Sequence, residues 1–318
     1  MPELPEVETV RGGLESLVSR CTIAEVDIRR DSCVRLLPGG APEFGAQVTG
    51  TRISAVVRRG KFLWLPLTEP GAHAVPEVAL SAHLGMSGQF RVHEAPWDAA
   101  PPPHPHCRAR LSLLKYDGVP LTLDFLDQRT FGYLHVEALV PTPDGGPGGF
   151  GSDLPALPVT AAHIARDALD PRVDVAAAGR ALRRGTRGIK QVLLDQTVVS
   201  GVGNIYADEA LWHARIHPER PAHTVTAPQA RTLLGSVRSV MTAALAQGGT
   251  SFDALYVNVN GESGYFDRSL GAYGRAGEPC RRCGRALRRA IVGGRATHWC
   301  ATCQRRWAPK PGIRSFKR

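Results

Sequence analysis

The second residue of the chain is a proline and the third and sixth are glutamates, in the opening stretch MPELPEVE. Methionine is normally trimmed ahead of a small residue, which would leave Pro2 as a secondary amine on a ring that fixes its shape. Such amines condense with masked aldehydes to give iminium species. An α-amino group titrates near ~7.7–8.0 against ~10.4 for lysine, so about a tenth of it is neutral at pH 7. Pro5 suits a first helical turn, and Val7, Val10, Leu14 and Leu17 recur at helical spacing, so Pro2 and Glu3 stand just before a helix N-terminus. The positive end of that dipole favours the neutral amine, and Glu3 and Glu6 are carboxylates close enough to carry protons. The same residues also fit an incidental terminal proline with glutamates that only complement the dipole. These positions alone leave both readings open.

Cys280, Cys283, Cys300 and Cys303 form CxxC, sixteen intervening residues, and a second CxxC. That is the spacing of a tetrahedral four-thiolate zinc site on two knuckles. Disulfides are the alternative, and a reducing compartment argues against them. Four thiolates leave no open position, so the metal would be structural, tying a hairpin too small to have a core of its own. Cys21, Cys33 and Cys107 are scattered and read as small buried or neutral residues.

The elements that must position these groups fall into two kinds. Thr22 to Ile28, Val48 to Val57, Phe62 to Leu67, Val78 to Leu84, Leu111 to Leu114, Leu121 to Phe125 and Tyr133 to Leu139 read as strands at hairpin spacing, which predicts a two-layer β-sandwich packed on the first helix. After a Gly- and Pro-rich stretch from Pro141 to Pro158 the period becomes helical. Helices are expected over Ala161 to Leu169, Val173 to Leu182, Gly188 to Gln196, Asn204 to His213 and Pro228 to Ala246, the last stopped by Gly248 and Gly249. Ser200-Gly201-Val202-Gly203-Asn204 leaves bare amides at a helix N-terminus, which fits either a phosphate site or a tight helix connection.

At 318 residues and 43% hydrophobic, the chain can bury two cores and a small satellite module. No stretch approaches the ~20 apolar residues of a membrane span, and the acidic start lacks the layout of a signal peptide. A cytoplasmic protein with no membrane partner is expected. The net charge of +10 is unevenly placed. Tyr273 to Arg318 holds 13 basic residues and one acid, Glu278, while the remainder has 26 basic and 28 acidic residues. Interleaved with the cysteines, that charge points to a folded module for a polyanion.

Together these features resemble the formamidopyrimidine-DNA glycosylase family, which also includes endonuclease VIII. The resemblance runs in order through MPELPEVETV, GKFLW (Gly60 to Trp64), HLGMSGQF (His83 to Phe90), DQRTFG (Asp127 to Gly132), QVLLDQTVVSGVGNIYADEAL (Gln191 to Leu211), AYGRAGEPC (Ala272 to Cys280) and GRATHWC (Gly294 to Cys300). It implies an α+β multidomain fold. The implied parts are a catalytic β-sandwich domain with flanking helices (1–140), a linker (141–158), a helix-two-turn-helix DNA-binding domain (159–250), a lesion-recognition region (251–272), a zinc-finger hairpin (273–306) and a basic tail (307–318).

The implied activity is base-excision repair of oxidised purines, such as 8-oxoguanine and formamidopyrimidines, in duplex DNA. Pro2 would attack the sugar and hold it as an iminium, with Glu3 as proton donor and Glu6 as a supporting carboxylate; β- and then δ-elimination would follow. Lys61 and Arg295 match family positions that contact phosphates and donate protons during elimination. Met86, Arg129 and Phe131 match the residues that fill the hole left by an extruded base. His106, Lys190 and Asn204 complete the implied DNA contacts, and the loop from Asn258 to Phe266 matches the segment that folds over the lesion. One structural zinc, no organic cofactor, damaged double-stranded DNA as partner, a monomer and association with the nucleoid are expected on the same basis.

Leu4 and the Arg129/Phe131 pair favour the purine branch over the oxidised-pyrimidine branch of endonuclease VIII. A terminal-proline tautomerase would need neither zinc hairpin nor basic patch. A noncatalytic damage-binding protein would follow if Met1 were retained. The chain departs from the family pattern in a proline-rich insertion from Ala95 to His106, in 141–158, and in its tail. Deleting residues 307–318 should weaken DNA binding and flatten its salt dependence while leaving single-turnover rates unchanged, as read by titrations at several salt concentrations.

Overall fold

The structure is a computed structural model and describes residues 2–69, 71, 75–249 and 269–308. By packing, the chain divides into two units, 1–173 with 241–268 and 174–240 with 269–318. Among the described residues no helix is long and apolar enough to cross a membrane.

The first unit begins with helix α1 (Leu4–Val18), whose apolar stripe of Leu4, Val7, Val10, Leu14 and Val18 is buried. Then come β1 (Thr22–Ile28), α2 (Gly40–Val48), β2 (Arg52–Ile53), β3 (Val57–Arg59), β4 (Phe62–Thr68), β5 (Val78–His83), β6 (Gly88–His93), β7 (Cys107–Leu114), β8 (Pro120–Asp127), β9 (Tyr133–Pro141) and β10 (Ala156–Pro158). Their hydrogen-bonded order is β10-β9-β5-β4-β2-β1-β7-β8-β6, with β3 paired to β4. Helix α1 touches β6 at one end of this path and β3 and β4 in its other half. Leu63, Leu65, Leu80 and Ala82 from one half and Leu111, Leu113, Leu123 and Phe125 from the other share one core with α1. This is the expected β-sandwich with its helix.

Strand β4 is apolar without alternation because it is buried on both faces. Leu63, Leu65 and Leu67 face the main core, whereas Trp64 packs with Val57, Ala79, Leu157, Ala161 and Ile164 in a second cluster. That second cluster explains the segment 141–158. It is a strap folded against the sandwich rather than an open linker: β10 pairs back on β9, and Phe150 exchanges backbone hydrogen bonds with Arg58 at 2.9 and 2.8 Å. Its glycines permit close approach. A Cβ on Gly149 would lie 2.3 Å from the Arg58 carbonyl oxygen, and one on Gly148 1.9 Å from that of Ala156. The insertion from Ala95 to His106 is likewise tied to the sheet, with Thr122 Oγ1 donating to the Ala95 carbonyl and Arg110 Nη2 to that of Pro101, both at 3.0 Å.

Two expected elements differ. The run from Val48 to Val57 is not one strand but the end of α2 followed by two short strands. The helix expected over Ala161 to Leu169 is absent, and only a short 3₁₀ turn, Val159–Ala161, lies there. The Asp167 carboxylate takes the amides of Leu169 and Asp170 at 3.0 and 3.1 Å, giving the backbone an alternative to helix.

The second unit contains α3 (Val175–Leu182), α4 (Ile189–Leu193), α5 (Asn204–Ala214), the first part of α6 (Ala227–Leu245), and the hairpin of β11 (Arg288–Val292) and β12 (Arg295–Trp299). Asp174 Oδ1 caps α3 by accepting from Ala177 N at 2.8 Å. Helix α5 is buried on nearly all sides from Tyr206 to Trp212, including Asp208 and Glu209.

Replacing Gly149 by Ala should destabilise the protein by about 2 kcal/mol or more, because the obstruction is backbone. Gly235, in α6 with nothing within 4 Å of a built Cβ, should tolerate Ala or gain up to about 1 kcal/mol. Urea denaturation of the two variants checks both.

Candidate functional site

Pro2 is buried immediately before α1, and Glu3 is the N-cap, with extended backbone (φ −100°, ψ −173°). Glu6 Oε2 accepts the Glu3 amide at 2.9 Å, so the two glutamates hold the start of the helix between them. Both are buried, at 3% and 4% exposure. Gly249, just past α6 and with φ +86°, comes so close that a Cβ there would stand 3.1 Å from Glu6 Oε1.

Lys61 lies at the tip of the two-residue turn joining β3 to β4, where Arg59 pairs with Phe62 and Gly60 takes φ +58°. Beneath it the buried Arg58 bridges Glu8 and Asp167 at 2.7 and 2.8 Å. Burial opposes the charge on Arg58, but the two carboxylates outweigh it and its pKa is raised.

Met86 and Phe131 are 42% and 54% exposed, which makes neither a core residue. Both are held by Asp127, a buried carboxylate at the end of β8. Its Oδ1 accepts Ser87 Oγ at 2.6 Å and the Arg129 amide at 3.2 Å, and its Oδ2 accepts the Gly132 amide at 2.6 Å. Gly85, with φ +58°, admits the 128–132 loop, since a Cβ there would lie 2.6 Å from Gly132 N. Arg129 Nη1 is 3.8 Å from Met86 Sδ, so these two side chains meet. His83, stacked on Tyr133, accepts the Gly85 amide on Nδ1 at 3.1 Å, and burial lowers its pKa. His106 lies on the loop before β7, and its carbonyl accepts the Asp127 amide at 2.9 Å.

In the second unit, Lys190 is 1% exposed. Its ammonium lies 2.7 Å from Asp208 Oδ1 and donates to Thr297 Oγ1 and the Ala296 carbonyl at 2.8 and 3.1 Å. The resemblance implies that this lysine contacts DNA. The structure uses its charge inside, tying α4 and α5 to β12, because Asp208 is itself buried and needs a cation. Asp208 Oδ2 also accepts the His298 amide at 2.8 Å. Asn204, at the start of α5, donates to Ala296 O at 2.9 Å. Glu209 accepts the amides of Gly271, Ala272 and Tyr273 at 2.7–2.8 Å; burial raises its pKa against those donors.

Arg295 is exposed directly after the Gly293-Gly294 turn of the β11–β12 hairpin. The segment from Asn258 to Phe266 and residues 309–318 of the tail lie outside the described residues.

The sulfur atoms of Cys280, Cys283, Cys300 and Cys303 all lie within 4.8 Å of one another, and none is in a disulfide. Zn–S bonds of ~2.3 Å put the corners of a tetrahedron about 3.8 Å apart, so the four thiols fit one zinc ion. Cys280 and Cys300 are packed with Trp212, Ala272 and Leu287, and Arg282 lies 3.8 Å over the Trp212 ring. This is the protein's structural zinc site.

Reasoning from sequence missed Arg58, Asp127, Asp167, Asp208 and Glu209. Asp127, Asp208 and Glu209 fall within the quoted motifs, yet the groups that they hold, Ser87, Lys190 and the stretch from Gly271 to Tyr273, lie outside those stretches or far along the chain, and no spacing betrays them.

A buried proline at a helix start, exposed apolar side chains on rigid turns and an arginine-bearing zinc hairpin suit an enzyme that opens DNA and cuts it at a damaged nucleotide, a DNA glycosylase with abasic-site lyase activity. Three family models cover most of the sequence: the formamidopyrimidine-DNA glycosylase N-terminal domain over residues 1–134, the H2TH domain of the same enzymes over 164–254, and a zinc finger found in FPG and IleRS over 277–306. The chain belongs to the formamidopyrimidine-DNA glycosylase family. It is 51% identical over 309 residues to the formamidopyrimidine-DNA glycosylase of Kineococcus radiotolerans, covering 96% of this chain and 97% of that one. It is 52% identical to that of Streptomyces avermitilis, covering 96% and 98%. Among solved structures, the MutM (Fpg) protein of Thermus thermophilus matches with a TM-score of 0.75 and 36% identity, covering 96% of this chain and 100% of that one. Lactococcus lactis Fpg in complex with DNA containing an abasic site matches at 0.76 and 29%, with the same coverage.

Lys190→Ala should cost about 3–5 kcal/mol by leaving Asp208 buried and unpaired. Arg295→Ala, at an exposed position, should stay within about 0.5 kcal/mol of the parent. Chemical denaturation of both variants checks the contrast.

Proposed function

We propose that Pro2, freed by removal of Met1, attacks the anomeric carbon of an oxidised purine nucleotide in duplex DNA. The C–N bond to the base breaks as the bond from the proline nitrogen forms, and Glu3 protonates the ring oxygen as the sugar opens. The resulting iminium acidifies the adjacent sugar carbon. Loss of that proton expels the 3′ phosphate, and a second elimination expels the 5′ phosphate. Glu6, bonded to the Glu3 amide, orients the terminus. Lys61 and Arg295 grip phosphates beside the lesion and donate protons during elimination. The observation that carries this reading is the placement of Pro2, buried at the positive end of α1 with two buried glutamates beside it.

Met86, Arg129 and Phe131 enter the gap left by the extruded base, Arg129 donating to the orphaned cytosine. Their exposure and shared anchor on Asp127 support this role. His106 and Asn204 contact the backbone. Lys190 serves the DNA indirectly, by seating the hairpin that carries Arg295. The protein acts as a monomer in the cytoplasm, on the nucleoid. Lesion scope includes a second possibility, because the Lactococcus lactis enzyme has been solved with DNA containing an oxidised pyrimidine.

Borohydride trapping on a duplex with one 8-oxoguanine opposite cytosine tests the chemistry. The parent should be trapped covalently on damaged DNA only, and Pro2→Gly should lose the trap. Absence of a trap from a correctly processed terminus would refute the mechanism. A stronger trap on thymine glycol opposite adenine would move the protein to the pyrimidine branch.

A further inference from the structure

The backbone beneath Lys61 is gripped on both of its polar groups. Asp167 Oδ2 accepts the Gly60 amide at 3.0 Å, and Arg58 Nη1 donates to the Gly60 carbonyl at 3.1 Å. Arg58 Nη1 is also 2.8 Å from Asp167 Oδ2, so arginine, carboxylate and turn close a small ring of hydrogen bonds. The other Asp167 oxygen is fixed by the amides of Leu169 and Asp170. Through Nε, Arg58 reaches Glu8 Oε2 at 2.7 Å, and Glu8 Oε1 meets Arg11 Nε at 2.9 Å. Glu8 is on α1, six residues after Pro2.

Three charged groups here are expensive to bury, and apolar side chains of similar volume would serve stability as well. Apolar side chains could not satisfy the turn's two backbone groups. A lysine at 58 could not reach two carboxylates and a carbonyl at once, as the planar guanidinium does.

We infer that Glu8, Arg58 and Asp167 are positioning residues, which fix the Lys61 turn against the helix that carries the terminal amine and so set the alignment of Lys61 with the sugar that Pro2 attacks. This rests on the role given to Lys61 above. Chemistry of this kind is sensitive to placement, and a shift of about 1 Å can cost on the order of 10²-fold in rate.

The test is a double-mutant cycle in single turnover, on the 8-oxoguanine duplex and on a preformed abasic site. It uses Lys61→Gln, Asp167→Asn and Glu8→Gln, and each of the last two combined with Lys61→Gln. Lys61→Gln should slow the reaction by about 10²-fold or more. Asp167→Asn should slow it by about 10- to 100-fold at saturating protein, with duplex affinity unchanged. The combined variants should be no slower than Lys61→Gln alone, the signature of residues acting through one another. Glu8, whose side chain is 15% exposed, supplies the milder change should Asp167→Asn fail to fold. A fully active Lys61→Gln would remove the role of Lys61 and the inference with it. A slow Lys61→Gln that is slowed further, by the same factor as the parent, would overturn the inference and leave Lys61 in place. Network variants as fast as the parent would also overturn it.

Discussion

A carboxylate taken out of water must be surrounded by donors, and for four buried carboxylates of this protein the donors include backbone amides of turns or of a helix start. Glu6 holds the start of α1, Asp167 the Gly60-Lys61 turn, Asp127 the loop of Arg129 and Phe131, and Glu209 the stretch from Gly271 to Tyr273. Each converts a short irregular segment into a fixed platform. The cost of burying the charge is offset only when every donor is in its place, so a turn that drifts loses its anchor as well as its position.

The zinc hairpin obeys the same rule with a metal added. Its first strand, β11, is exposed over most of its length, and a module of that size has too little core to stand alone. Zinc closes its knuckles, while Asp208 and Lys190 seat β12 on the helices of the same unit. The Lys190 charge is thus engaged inside the protein, where it holds α4, α5 and β12 together.

Much of the scaffold was legible in the sequence because it rests on period and punctuation. The stripe of α1, the strand from Thr22 to Ile28 and the double glycine after α6 emerge close to where the residues place them. The zinc cysteines were legible because a metal imposes spacing. What did not show was anything decided by partners distant in sequence. Asp167 reads as one polar residue in a helical pattern, and nothing near it in sequence announces that its second oxygen holds the amide of Gly60, more than a hundred positions earlier. Lys190 reads by resemblance as a DNA contact, and nothing near it in sequence shows the Asp208 and Thr297 that the fold brings to it. Met86 and Phe131 would pass for core residues on composition, and their exposure follows from how Asp127 ties down the turns around them.

The strap from Pro141 to Pro158 reverses the usual expectation about where a protein accepts foreign sequence. Loops rich in glycine and proline ordinarily tolerate inserts, yet Gly149 and Gly151 are pressed against carbonyl oxygens of the sandwich, Gly148 against that of Ala156 in the strap itself, and the Phe150 backbone is hydrogen-bonded to Arg58. The permissive place is the β7–β8 hairpin tip, where Tyr116 is 92% exposed and Gly118 has open space around it. A fluorescent label or an affinity peptide belongs there; threaded into the strap, it would pull on the arginine that supports the lysine turn.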